Sequence, residues 1–187
     1  MFFLVGAVPF YAQAVGTPLA DLTFFVGALF FTAAALIQLS LSGRRPPWRG
    51  TNRADAFDWW AAAIQFVGTL FFNISTTDAV IHAINDSSRV GSGWRPDALG
   101  SICFLVASAF AVVATTERDR LWDPAARTWQ CTWLNMAGSV FFGLSAVGAF
   151  VIPSTTDLVS LFWANLGTFL GAVCFLVAAL LSRPAHR

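Results

Sequence analysis

The sequence predicts an all-α fold: a polytopic transmembrane bundle of six helices, the first one short, forming a single transmembrane domain over 1–187. Three observations predict it. Hydrophobic residues make up 57% of the chain and charged residues only 11%, with a mean hydropathy of +0.66, whereas soluble domains carry roughly a quarter charged residues. The charge-free stretches 1–20, 22–43, 59–77, 98–116, 128–156 and 158–182 each hold one span of the roughly 20 residues that cross a hydrocarbon core of about 30 Å. Runs such as Phe24-Phe25-Val26-Gly27-Ala28-Leu29-Phe30-Phe31 do not alternate apolar and polar residues, as a membrane β-barrel requires.

Trimmed to their best helical segments, the spans are 1–15, 21–42, 58–84, 98–116, 129–152 and 157–182. The first is about 22 Å long at 1.5 Å per residue, short of the core thickness. It contains Pro9, and Gly16 and Pro18 mark its end. A secretory signal peptide is the rival reading, but no basic residue precedes Phe2 and Phe3. Trp59 and Trp60 open the third span, Trp129 and Trp133 the fifth, and Trp163 lies near the start of the sixth. Indole rings favour the headgroup level, so these residues form an interfacial belt.

All eleven basic residues are Arg, against 10 Asp and Glu, a formal charge of +1. That balance excludes a nucleic-acid partner on composition. Six spans put Arg44, Arg45, Arg49, Arg53, Arg118, Arg120, Arg127, Arg183 and Arg187 on one side and only Arg89 and Arg95 on the other. The positive-inside rule then makes the Arg-rich loops and both termini cytoplasmic in a multi-pass protein of the plasma membrane. Trp48 and Trp122, beside Pro46, Pro47 and Pro124, anchor those loops against anionic lipid. The loop from Asn85 to Pro96, with Trp94, is the longest external feature and the expected contact surface there.

Each predicted helix carries a glycine followed within a turn by phenylalanine. The runs are Gly6-Ala7-Val8-Pro9-Phe10, Gly27-Ala28-Leu29-Phe30-Phe31 and Gly68-Thr69-Leu70-Phe71-Phe72, then Gly100-Ser101-Ile102-Cys103-Phe104, Gly138-Ser139-Val140-Phe141-Phe142 and Gly167-Thr168-Phe169-Leu170. The longest match sets Gly6, Phe10 and Ala14-Val15-Gly16 against Gly138, Phe142 and Ala146-Val147-Gly148. Three repeated hairpins are the expected units, and the first helix is expected to lack its first turn, through truncation or a late start codon. In lipid no hydrophobic force separates helix from tail, so association depends on close backbone approach at small residues. Gly6, Gly27, Gly68, Gly100, Gly138, Gly167 and Gly171 are therefore the expected packing positions. The bland reading is that Gly and Phe are simply frequent in membrane helices.

The runs Phe25 to Ala35, Asp58-Trp59-Trp60 with Gln65 to Asn73, and Ala164 to Gly171 resemble those of actinobacterial YrhK-like integral membrane proteins across nearly the whole chain. The resemblance implies a helical, membrane-embedded protein without an assigned biochemical role, and it brings over no functional residues.

The third span supplies the one concentrated polar set. Asn73, Ser75, Asp78 and His82 are the candidate transport or polar site, and Gly68, Phe71, Ser75, Asp78 and His82 follow the spacing of one helix stripe. Asp78 and His82 at i, i+4 suit a hydrogen bond and a proton relay. Asp78 lies twenty residues from Asp58, about 30 Å along the axis, at the outer interface where a carboxylate meets water. The alternative is a solvated pair that caps the helix. Gln13, Gln38, Gln65, Asn135 and Asn165 read either as interhelical hydrogen-bond glue or as a pore lining.

No cofactor is implied. His82 and His186 fall on opposite sides, Cys103, Cys131 and Cys174 sit on separate helices, and a tetrahedral metal site needs three or four ligands. The cysteines read as packing residues. No catalytic motif occurs, so the chain reads as a non-enzyme. A structural or accessory membrane component, partnered by the bilayer and by a second copy or another membrane protein, explains the Gly-Phe helices. The alternative is a small secondary transporter or channel built on the third-span stripe.

Overall fold

The computed structural model describes residues 1–8, 10–43, 46–47, 51–85, 94–118, 122–152, 154–155 and 157–182. Those residues form α1 (Phe2–Gly6), α2 (Tyr11–Val15), α3 (Thr17–Leu41), α4 (Arg53–Ile84), α5 (Trp94–Arg118), α6 (Arg127–Gly148) and α7 (Leu161–Leu181). Among the described residues there is no strand, only an isolated antiparallel bridge between Val151 and Leu158. Helices are the expected outcome, because backbone groups in hydrocarbon must be satisfied within their own segment. Five of them, α3 to α7, are long and apolar enough to cross a membrane.

The expected span over 1–15 takes a different form. It is two five-residue helices, each about 7.5 Å long, and neither is long enough to cross. Gly16 at φ +85° turns the chain out of α2, a conformation glycine adopts without steric cost. Pro18 then sits in the first turn of α3, where its missing N–H is harmless.

Other boundaries move by a turn. α4 starts at Arg53 and not at 58, capped by Asn52, whose Oδ1 accepts the Ala54 N–H at 3.1 Å. α5 covers Trp94–Arg118 where 98–116 was expected. Charged residues end the apolar run without ending the helix, because long side chains at a terminus reach the interface. α6 stops at Gly148, short of 152, and α7 starts at Leu161, later than 157. A tight connection takes the difference, with the Ile152 N–H on Asp157 O and the Val159 N–H on Phe150 O, both at 2.8 Å.

Consecutive long helices pack on one another, and α1 touches both α3 and α7. The packing is reciprocal. A Cβ on Gly68 would lie 2.9 Å from Cys103 Cβ and Phe104 Cδ2; one on Gly100 would lie 3.1 Å from Gly68 O and 3.3 Å from Phe72. The α6–α7 pair repeats this. Gly138 faces Phe175 at 3.0 Å and Cys174 Cβ at 3.2 Å, while Gly171 faces Gly138 O and Phe142 at 3.1 Å. In α3, Gly27 faces Phe2 Cβ at 2.8 Å and Phe3 at 3.2 Å, and Gly6 faces Phe24 at 2.8 Å. Each helix of a pair offers a groove and fills its neighbour's.

The rings meet in one layer. Phe31 stacks on Phe104 at 5.2 Å, Phe72 lies 5.3 Å from Phe104, and Phe175 lies 5.6 Å from Phe142 and 5.7 Å from Phe104. Phe3 joins from α1, 5.9 Å from Phe31 and 6.2 Å from Phe142. Aromatic pairs at such spacings each add about 0.5–1.5 kcal/mol.

Two expected registers are corrected here. Phe3, and not Phe10, enters the layer; Phe10 is 73% exposed. In α7 the working run is Gly171 to Phe175 and not Gly167 to Phe169; Gly167 abuts α6, where a Cβ would lie 2.6 Å from Phe141 O. The signal for the α7 register is in the chain: Gly100-Ser-Ile-Cys-Phe-Leu-Val-Ala and Gly171-Ala-Val-Cys-Phe-Leu-Val-Ala are near copies.

Candidate functional site

On α4 the expected polar stripe divides by depth. Asn73, one residue past the Phe72 ring, turns to α3 and donates from Nδ2 to Thr32 Oγ1 at 2.8 Å, while its Oδ1 is buried without a partner. Ser75 is half-buried. Asp78 Oδ1 lies 3.4 Å from His82 Nε2, with the carboxylate side chain 42% exposed. Six residues separate Phe72 from Asp78, about 9 Å along the axis, so the pair sits beyond the phenylalanine layer, away from the Arg-rich end. Asn73 and the Asp78–His82 pair therefore do not share a site. His186, Trp48 and most of the Asn85–Pro96 loop lie outside the described residues. Trp94 opens α5 and turns inward, donating from Nε1 to Ala146 O at 2.8 Å.

The polar cavity lies at the other end of the bundle. A chamber of about 550 Å³ is lined by Gln38 of α3, Gln65 of α4, Ser108 of α5 and Asn135 of α6. Asp55, Asp58 and Arg118 stand at its mouth. Arg118 donates from Nη1 to Asp58 Oδ2 and from Nη2 to Asp55 Oδ1, a bridge between the start of α4 and the end of α5. Arg53 lies beside it, 3.4 Å from Glu117 Oε1 and stacked over Phe57 at 5.5 Å. Every one of these ion pairs is partly exposed, and such pairs contribute about 1 kcal/mol or less.

Glue between helices is mostly hydroxyl. Ser108 and Ser139 share a 2.7 Å hydrogen bond, Thr115 and Thr132 one of 2.8 Å, and Ser145 bonds Thr168 at 2.7 Å and Ala164 O at 2.6 Å. Among the described residues the side-chain amides of Gln38, Gln65 and Asn135 make no such bond; they line the chamber instead. Three of the five amides, Gln38, Gln65 and Asn135, line this cavity; Gln13 and Asn165 do not. Gln65 and Asn135 each lie seven residues before the layer phenylalanines Phe72 and Phe142, and Gln38 lies seven after Phe31. That is about 10 Å along the axis from the phenylalanine layer.

No family model, curated protein or solved structure matches this chain. Its chemistry is therefore read from its own residues. The cysteines pack: Cys103 and Cys174 fill the grooves at Gly68 and Gly138, and Cys131 Sγ lies 3.5 Å from Ala178 O. At the Arg-rich end the indoles form a belt, Trp59 Nε1 donating to Gly43 O at 3.2 Å and Trp122, Trp129 and Trp133 meeting ring to ring.

Proposed function

We propose that this chain is a small structural or accessory component of the plasma membrane, without enzymatic activity, related to the YrhK-like proteins it resembles. One observation carries the reading: a phenylalanine from each of α1, α3, α4, α5, α6 and α7 meets in a single layer across the bundle. Where the rings meet, close packing leaves no room for a hydrated ion, which favours a structural body over a channel along the bundle axis. The proposed units are three hairpins, α1 with α3, α4 with α5 and α6 with α7, with α1 as a shortened sixth member. The arginine bias supports an orientation with the Arg-rich end in the cytoplasm. Its partners in this reading are the bilayer and, through lipid-facing small residues, a second copy or another membrane protein.

The chamber favours a second reading, a small transporter, because a polar cavity at membrane depth is where such proteins hold their cargo. In that reading the cavity replaces the third-span stripe as the site. Proteoliposomes loaded with a pH-sensitive dye or with radiolabelled cations separate the two. No flux above protein-free vesicles is expected. Flux that disappears in Asn135→Leu, a substitution in the chamber wall, establishes transport and removes the structural reading.

A further inference from the structure

The chamber at the Arg-rich end does not stop at its polar walls. A second cavity of about 420 Å³ shares Gln38, Leu41, Gln65 and Asn135 with it and reaches Phe31 and Phe175. A third, of about 270 Å³, shares Phe31, Ala34, Phe175 and Ala179 with the second and ends against Met1, Phe2 and Phe3. Together they follow the seam between α3 and α7, which α1 covers only from the phenylalanine layer outward. The seam is open toward lipid, where Phe30 is 63% exposed. One end of this space is polar and the other apolar.

An unpaired carboxamide within hydrocarbon is costly and requires a hydrogen-bonding partner. Water satisfies the three amides but does not fill an apolar seam lined by rings and alanines. A single molecule with a polar head and a long apolar tail does both. We propose that one membrane lipid occupies this space, its acyl chain along the α3–α7 seam and its head group against Gln38, Gln65 and Asn135. The mouth selects the head. Among the described residues that line it, two carboxylates, Asp55 and Asp58, both bind the one guanidinium, Arg118, so an anionic head finds no unpaired cation in the lining. A zwitterionic amine head places its phosphate toward Arg118 and its ammonium toward the aspartates. The ligand class is thus an aminophospholipid of the phosphatidylethanolamine type.

Native mass spectrometry of the full chain, released from nanodiscs of equal phosphatidylethanolamine and phosphatidylglycerol with matched acyl chains, tests this. One retained lipid is expected, with the ethanolamine lipid favoured at least about five-fold. Ala34 is an exposed seam residue, so Ala34→Trp blocks the tail without disturbing helix packing and should abolish the adduct. Asn135→Leu should weaken it while leaving the thermal melting point in detergent near wild type. A bare wild-type chain, a preference for phosphatidylglycerol, several equivalent lipids, or an adduct that survives Ala34→Trp overturns the proposal. A lipid-free dimer blocked by Ala34→Trp overturns it too and gives the seam to a second copy. Should either variant fail to fold, the wild-type lipid ratio decides alone.

Discussion

At the scale of single residues, the distance from a missing Cβ to its neighbour separates glycines that are required from glycines that are tolerated. At Gly167 that Cβ would lie 2.6 Å from Phe141 O and 2.7 Å from Ser145 N, both backbone; at Gly143 the nearest atom is Leu105 Cδ1 at 3.4 Å. Gly167→Ala should therefore destabilise the bundle by about 1–3 kcal/mol, the usual range for overpacking. Gly143→Ala should stay within about 0.5 kcal/mol. Chemical unfolding in mixed detergent micelles measures both. The Asn73–Thr32 contact gives a second contrast. Thr32→Val leaves the Asn73 Nδ2 without its partner at 2.8 Å, beside an Oδ1 that already lacks one, and should cost about 1–3 kcal/mol. Asn73→Leu removes both orphaned groups together and should cost less; the reverse order would show that the amide is satisfied in some other way. Gly27, Gly68, Gly100 and Gly138 were readable from the sequence because each precedes a layer phenylalanine by four residues. Phe3 was not, since nothing local says that a ring at the start of the chain belongs in the centre of the bundle.

Elements are tied together by polar contacts that rank as adjustments and not as foundations. The Arg118 bridge to Asp55 and Asp58 joins the open ends of α4 and α5, but its groups are 38–58% exposed. Arg118→Gln should lower the melting point in proportion to a loss of about 1 kcal/mol or less, and the difference from wild type should shrink as salt rises. Equal losses at low and high salt would show that the stem of the side chain, and not its charge, supports the hairpin. Helix existence was legible for α3 to α7 because apolar length alone decides it. The starts of α4 and α5 were not, because charged termini continue the helix past the apolar run, nor was the α6–α7 junction, where a tight connection takes apolar residues out of both helices. The Asp78–His82 pair was legible from i, i+4 spacing. The chamber was not, as its three amides come from α3, α4 and α6 and only tertiary packing brings them together.

For the molecule as a whole, the phenylalanine layer is the common point on which the long helices depend. Phe104 is 1% exposed and lies within 6.5 Å, centroid to centroid, of Phe31, Phe72, Phe142 and Phe175. Phe104→Ala should cost about 3–5 kcal/mol, the range for emptying a buried aromatic site, and should melt all five long helices in one transition by circular dichroism. Two separated transitions would show that the hairpins are stable units that merely touch. Sidedness is open to a direct test: a cysteine at Thr51 should react with an impermeant maleimide only after the cells are opened, and labelling of intact cells would reverse the orientation. The mutual fit of glycine and ring also constrains how this chain drifts over generations. A residue that gains bulk at Gly68 meets Cys103 Cβ as well as Phe104 on the opposite helix, both at 2.9 Å, and one at Gly171 meets the Gly138 carbonyl as well as Phe142, both at 3.1 Å. A smaller ring relieves only part of either clash, so these positions should stay glycine even where the facing ring changes.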